Sequence, residues 1–162
     1  MTSRCVKPVF ALLAVLAASL AFAAPPAGLN WEVHGTGSGA VTVLTGGSST
    51  GPAMPQHVGN ATYSLTLSSP MIFSSNGAGG VCSIVTGTGG IVAADGSTIN
   101  FATVGMLCNT AGGGEGPGGH YNGTYGITGG TGRFVGVLGG GSLTATFNSP
   151  HFIKIDGTIT GI

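Results

Sequence analysis

The chain has 162 residues, with only four Lys or Arg against four Asp or Glu, so charged side chains make up 5% of it while 33 residues are glycine. A chain this poor in charge carries neither the basic surface that attracts nucleic acid nor the basic amphipathic helix that suits an anionic membrane. Glycine in such amounts invites disorder, but 42% hydrophobic residues, set in alternating runs and joined by almost no surface-helix formers, point to a folded all-β domain.

The first predicted element is an export signal. Arg4 and Lys7 form a positive start, Val9 to Phe22 is an apolar run, and Ala21-Phe22-Ala23 places small residues where signal peptidase cuts. The apolar run is short for a membrane span, and Pro25-Pro26 follow it. Cleavage after Ala23 removes Cys5, Arg4 and Lys7 and leaves 139 residues. Their charged groups are Arg133 and Lys154 against Glu32, Asp95, Glu115 and Asp156, a formal net charge of −2. Residues 24–34 are expected to form an N-terminal extension, with Trp31-Glu32-Val33-His34 as an apolar plug over one end of the domain or a sugar contact. Residues 35–162 are expected to form one domain.

Within that domain, period-two runs mark strands with one apolar and one Ser/Thr face. Val41 and Val43 share a face, and Tyr63, Leu65 and Leu67 share the next. Ile99, Phe101 and Leu107 follow, then Tyr121, Tyr125 and Ile127, then Leu143, Ala145 and Phe147, and finally Ile153, Ile155 and Ile159. Gly46 to Pro52, Ser74 to Gly80 and Gly112 to Gly119 read as loops, and Asp95-Gly96 as a hairpin turn. Eight or nine strands at this spacing fit a sandwich or a barrel, and a closed barrel leaves no edge exposed.

Cys82 and Cys108 are the two cysteines that remain after signal removal, and an oxidising compartment permits a bridge between them. A two-residue turn at Asp95-Gly96 sets Cys82 opposite Asn109, whereas a bulge or a three-residue loop sets it opposite Cys108. Three glycines within four residues at 129–132, followed by Arg133 and Phe134, ask for a tight or bulged turn between two strands.

Several of these residues carry a family likeness. Asn60-Ala61-Thr62, Asp95-Gly96-Ser97, Tyr121-Asn122-Gly123-Thr124-Tyr125, Gly129-Gly130-Thr131-Gly132-Arg133-Phe134 and the closing Asp156-Gly157-Thr158-Ile159-Thr160-Gly161 resemble bacterial exported proteins of the allene oxide cyclase-like barrel group, to which plant dirigent proteins are similar. The resemblance covers residues 35 to 162 and is most specific at 121–139. It implies a single antiparallel eight-stranded up-and-down barrel with an apolar interior. Allene oxide cyclases work with an interior carboxylate, and dirigent proteins with acids and an arginine inside the barrel; no acid of this chain aligns with either pattern.

Candidate site residues follow from chemistry. Arg133 could hold a carboxylate at the barrel mouth or hydrogen-bond turn carbonyls. Glu115 is the other weak catalytic candidate, near His120, although strand parity sets His120 opposite Tyr121 and Tyr125. Tyr63, Phe101, Tyr121, Tyr125, Arg133 and Phe134 are the candidate lining for a small hydrophobic ligand, or else plain core. The scattered histidines lack metal-site spacing, and Gly114-Glu115-Gly116-Pro117-Gly118-Gly119 matches a phosphate-loop pattern without the helix it requires, so no metal or cofactor is expected. Three functions stay open: a ligand-holding barrel, an isomerase or cyclase, and a structural protein of the envelope or cell surface. The expected location is the periplasm or the exterior, and self-association is left open.

Overall fold

The computed structural model describes residues 28–68, 72–75, 80–109 and 119–162. The expected signal peptide and Glu115 lie outside the described residues. Among the described residues nine strands run antiparallel to their neighbours: β1 (Leu29–Thr42), β2 (Gly46–Pro55), β3 (Ala61–Leu67), β4 (Ile72–Ser75), β5 (Val81–Ala93), β6 (Thr98–Cys108), β7 (His120–Gly130), β8 (Leu138–Thr146) and β9 (His151–Thr160). The pairings β3–β5 and β1–β9 close the sheet on itself, giving an eight-staved barrel. β3 and β4 are two lengths of one stave, because β5 pairs β3 through Gly87–Ala93 and β4 through Val81–Ile84 while β6 occupies its other side.

Strand parity decides the core. The apolar members of every alternating run point inward, and Val33, Tyr63, Leu65, Ile91, Ile99, Leu143 and Ile155 are among the residues with almost no exposure. Thr and Ser on the opposite parity face outward. This polarity is the reverse of a membrane-spanning barrel, whose apolar band faces lipid.

Two expectations on the strand boundaries need correction. Gly46 to Pro52 is strand, not loop: β2 is laddered to β1 on one side and β3 on the other, and two ladders outweigh a Gly/Ser/Pro composition. Ser74 and Ser75 likewise belong to β4. Nor do residues 29–34 stand ahead of the barrel. Leu29 pairs with Ile159, so they open the first stave, and Trp31 is a wall residue pointing inward rather than a plug.

The β5–β6 hairpin has the longer turn. Ala93 and Ser97 are hydrogen-bonded across Ala94-Asp95-Gly96, and Gly96 takes φ +83°, the left-handed residue such a loop requires. That register puts Cys82 directly opposite Cys108, where they form a disulfide with Cα atoms 4.0 Å apart. At the glycine turn, the β6–β7 register shifts between Asn100 and Phe101, and β7 ends at Gly130. Residues Gly132–Phe134 then form one 3-10 turn. Gly132 has φ +60°, and a Cβ there would strike Ser97 Oγ, so the turn admits only glycine at that point.

Candidate functional site

The interior is where the ligand-lining residues were expected, and there the structure places Tyr63, Phe101, Tyr121, Tyr125 and Phe134, each at most 5% exposed. Four of them are seated on glycines. A Cβ on Gly35 would lie 2.7 Å from Tyr63 Cδ1, and one on Gly105 would lie 2.8 Å from Tyr121 Cζ. One on Gly89 would strike the Phe101 ring, and one on Gly157 would lie 2.7 Å from the Tyr125 hydroxyl. The barrel thus gains room for its rings by leaving facing wall positions without side chains, and the rings fill that room.

Only some of the five come together. Tyr125 lies edge-on to both Phe101 and Trp31, with ring centroids 5.9 and 6.2 Å apart. Tyr121 is apart from them, its hydroxyl 2.6 Å from Thr103 Oγ1, which in turn donates to the Thr124 carbonyl. The Tyr125 hydroxyl and the Trp31 indole nitrogen have no protein partner. Burial, and after it the charge of Asp156, pushes the Tyr125 hydroxyl up to about 12. Removing an unpartnered hydroxyl removes a desolvation cost, so Tyr125→Phe is expected to gain about 1 kcal/mol, while Tyr121→Phe loses about 1 kcal/mol. Urea denaturation of the two variants checks this; equal effects would contradict the difference in partners.

A polar cluster that no sequence motif announced lies in the same interior. Ser49 Oγ is 2.8 Å from the Tyr63 hydroxyl and 2.9 Å from His151 Nδ1, and the Phe147 ring packs edge-on to His151 at 5.3 Å. All three polar residues are buried. Parity was the available signal, since His151 shares its phase with Ile153 and Ile155. Burial lowers the His151 pKa from its ordinary 6.5. The unfolded chain therefore binds a proton more readily than the folded one, and stability falls as pH drops below about 6.5, levelling once the folded group also titrates. The melting temperature is expected to decline from about pH 7 to pH 5, and to decline less in His151→Asn.

Arg133 does not enter the barrel. Its Nη2 donates to the Val58 carbonyl at 2.9 Å, its Nε lies 3.2 Å from Asp95 Oδ2, and its guanidinium covers the Phe134 ring at 4.6 Å. Asp95 is held below the usual carboxylate range first by the Ser97 amide and then by the Ser97 hydroxyl and the Arg133 charge. Arg133 thereby ties the β2–β3 loop, the β5–β6 turn and the 3-10 turn into one rim. Arg133→Ala is expected to cost about 1 kcal/mol, mainly through the Val58 hydrogen bond, because exposed ion pairs contribute little. Thermal melts of that variant beside wild type measure it.

The outer wall carries the remaining candidates. Among the described residues, strands β2 to β8 contribute no charged side chain. The wall's ions gather on β1 and β9, where Lys154 Nζ lies 3.1 Å from Glu32 and 3.0 Å from Asp156, and His34 Nε2 lies 2.9 Å from Glu32. Lys154 and then His34 lower the Glu32 pKa, and Asp156 and then Glu32 raise that of Lys154. Besides a smaller groove of about 360 Å³ beside Ser64 and Asn100, two shallow grooves cut into this wall. One, of about 670 Å³, runs between rows that include Thr66, Thr88, Ala102, Val104 and Thr124. The other, of about 560 Å³, crosses β1, β9, β8 and β7. His120 faces this second groove, on the side opposite Tyr121 and Tyr125 as its parity requires.

Among the described residues no three His, Cys, Asp or Glu side chains are grouped as a metal site would need. The chain matches no protein-family model, no curated protein and no solved structure.

Proposed function

We propose that this is an exported, non-catalytic barrel of the allene oxide cyclase-like kind that acts through its outer wall. The observation that carries this reading is the division of space: aromatic rings seated on glycines occupy the interior, while the grooves among the described residues open outward. The five described charged side chains are all on the outer wall or rim and paired with one another, and the buried His151 is hydrogen-bonded to Ser49 within the interior. Export is supported by the N-terminal pattern and by a disulfide, which persists in oxidising compartments. Native mass spectrometry of the protein purified from its own host tests the reading. The bare polypeptide mass is expected, with Trp31 fluorescence unmoved by an apolar probe. A stoichiometric bound compound that shifts Trp31 emission would overturn it.

One observation favours a second reading, a small ligand held inside. Trp31 Nε1 and the Tyr125 hydroxyl are buried polar atoms without protein partners beside the same aromatic cluster, the kind of group that orients a ligand in an apolar pocket. The same mass measurement decides between the two.

A further inference from the structure

We infer that the groove across β1, β9, β8 and β7 binds a linear, uncharged glycan, an inference that rests on the outer-wall reading and names its ligand class. Its geometry is a grid. The pairings Thr36↔Phe152, Phe152↔Thr146 and Thr146↔His120 make one row of side chains, and His34↔Lys154, Lys154↔Thr144 and Thr144↔Asn122 make the other. Between them the floor is formed by the backbone of Gly35, Ile153, Ala145 and Tyr121, the last three with their side chains turned inward by parity. The channel therefore runs across the strands, about 14 Å from β1 to β7 at the usual strand spacing, room for two or three sugar rings.

Phe152 supplies the reason to expect sugar. Every other described aromatic side chain is buried, yet Phe152 is 53% exposed and stands in the wall of this groove. Leaving a ring in water costs free energy that burial elsewhere in this barrel recovers. A sugar presents an apolar C–H face to such a ring and a rim of hydroxyls to its surroundings. Asn122, Thr36 and Thr144 provide uncharged donors and acceptors for that rim on either side of Phe152, and His120 adds its ring nitrogens. An extended peptide gains less here, because the amides of the floor are already paired within the sheet and strand addition needs a free edge.

Charge selects the class of glycan. Lys154, the Lys or Arg side chain of the groove, is already held between the carboxylates of Glu32 and Asp156, which leaves it less able to bind the carboxylate of a uronic acid or a sulfate.

The test is calorimetric titration of the mature protein with cellohexaose, chitohexaose and a β-1,3-glucan hexamer, with an oligogalacturonate hexamer as the anionic comparison. At least one neutral hexamer is expected to bind, more tightly than the anionic one. Phe152→Ala is expected to weaken binding about tenfold, and Asn122→Ala by a smaller factor, with melting temperatures close to wild type because both side chains are exposed. Binding by none of the neutral hexamers, tighter binding of the anionic one, or binding that Phe152→Ala leaves unchanged would each overturn the inference. Absence of glycan binding together with a bare, silent Trp31 sinks the glycan alone. A hexamer that shifts Trp31 emission and ignores Phe152→Ala sinks the outer-wall reading with it.

Discussion

Replacing Cys82 and Cys108 together with alanine is expected to lower stability by about 3.5 kcal/mol, the chain-entropy value for a cross-link between residues 26 apart in sequence. The bridge acts chiefly on the unfolded chain, whose β5 and β6 segments it keeps close even when no ladder holds them. The register makes the folded side of this balance favourable, since the two cysteines face each other across β5 and β6. Beyond them the ladder continues for another pair of hydrogen bonds, from the Asn109 amide to the Val81 carbonyl and from the Val81 amide to Asn109 Oδ1. For a domain of this size the loss corresponds to a fall of about 10–15 °C in melting temperature. Calorimetry with and without reductant measures it in the wild-type protein, and the double alanine variant separates loss of the bond from effects of the reductant. A melting temperature unmoved in both would show that the cross-link closes a loop the unfolded chain already restricts.

Gly89→Ala is expected to be strongly destabilising, costing about 3 kcal/mol or more. The added Cβ would meet two obstacles, the Phe101 ring and the Ser64 carbonyl oxygen at 2.6 Å. The ring turns only by displacing Tyr125, against which it packs edge-on. The carbonyl is fixed in the ladder between β3 and β5. Gly126→Ala is the matched control, because a Cβ there meets nothing within 4 Å and the backbone is not left-handed. It is expected to be neutral or to stabilise by about 0.5 kcal/mol through the unfolded state. Urea denaturation of both variants gives the comparison, and adding Phe101→Leu to Gly89→Ala should recover part of the loss, as contacting sites couple. Equal stability of the two alanine variants would mean that the rings are not seated on the glycines, and the case for a filled interior would go with them.

These two expectations differ in how they could be reached. The Cys82–Cys108 pairing is written locally: one hairpin, one turn, and a register set by whether that turn holds two residues or three. The Gly89–Phe101 contact is also between neighbouring strands, and Tyr125 joins it from the adjacent β7, but Trp31, which backs Tyr125, arrives from β1 only when the sheet closes. The same holds for the polar interior. Ser49 and His151 are 102 residues apart, and Arg133 reaches a carbonyl 75 residues away. No spacing in the chain relates such residues: exposed turn carbonyls favour a rim role for Arg133, but nothing in the sequence names the carbonyl of Val58 as its partner.

Alternation along the chain by itself settled the all-β class, the inward face of most staves and the outward turn of His120, because a strand's side chains alternate whatever it packs against. Composition misjudged Gly46 to Pro52, where neighbours on both sides impose a strand on residues that prefer loops. What only the tertiary structure decided was how the enclosed space is used. Closure brings rings from separate strands onto glycines of others and, among the described rings, leaves Phe152 outside, since packing volume is a property of all eight staves together and not of any one of them.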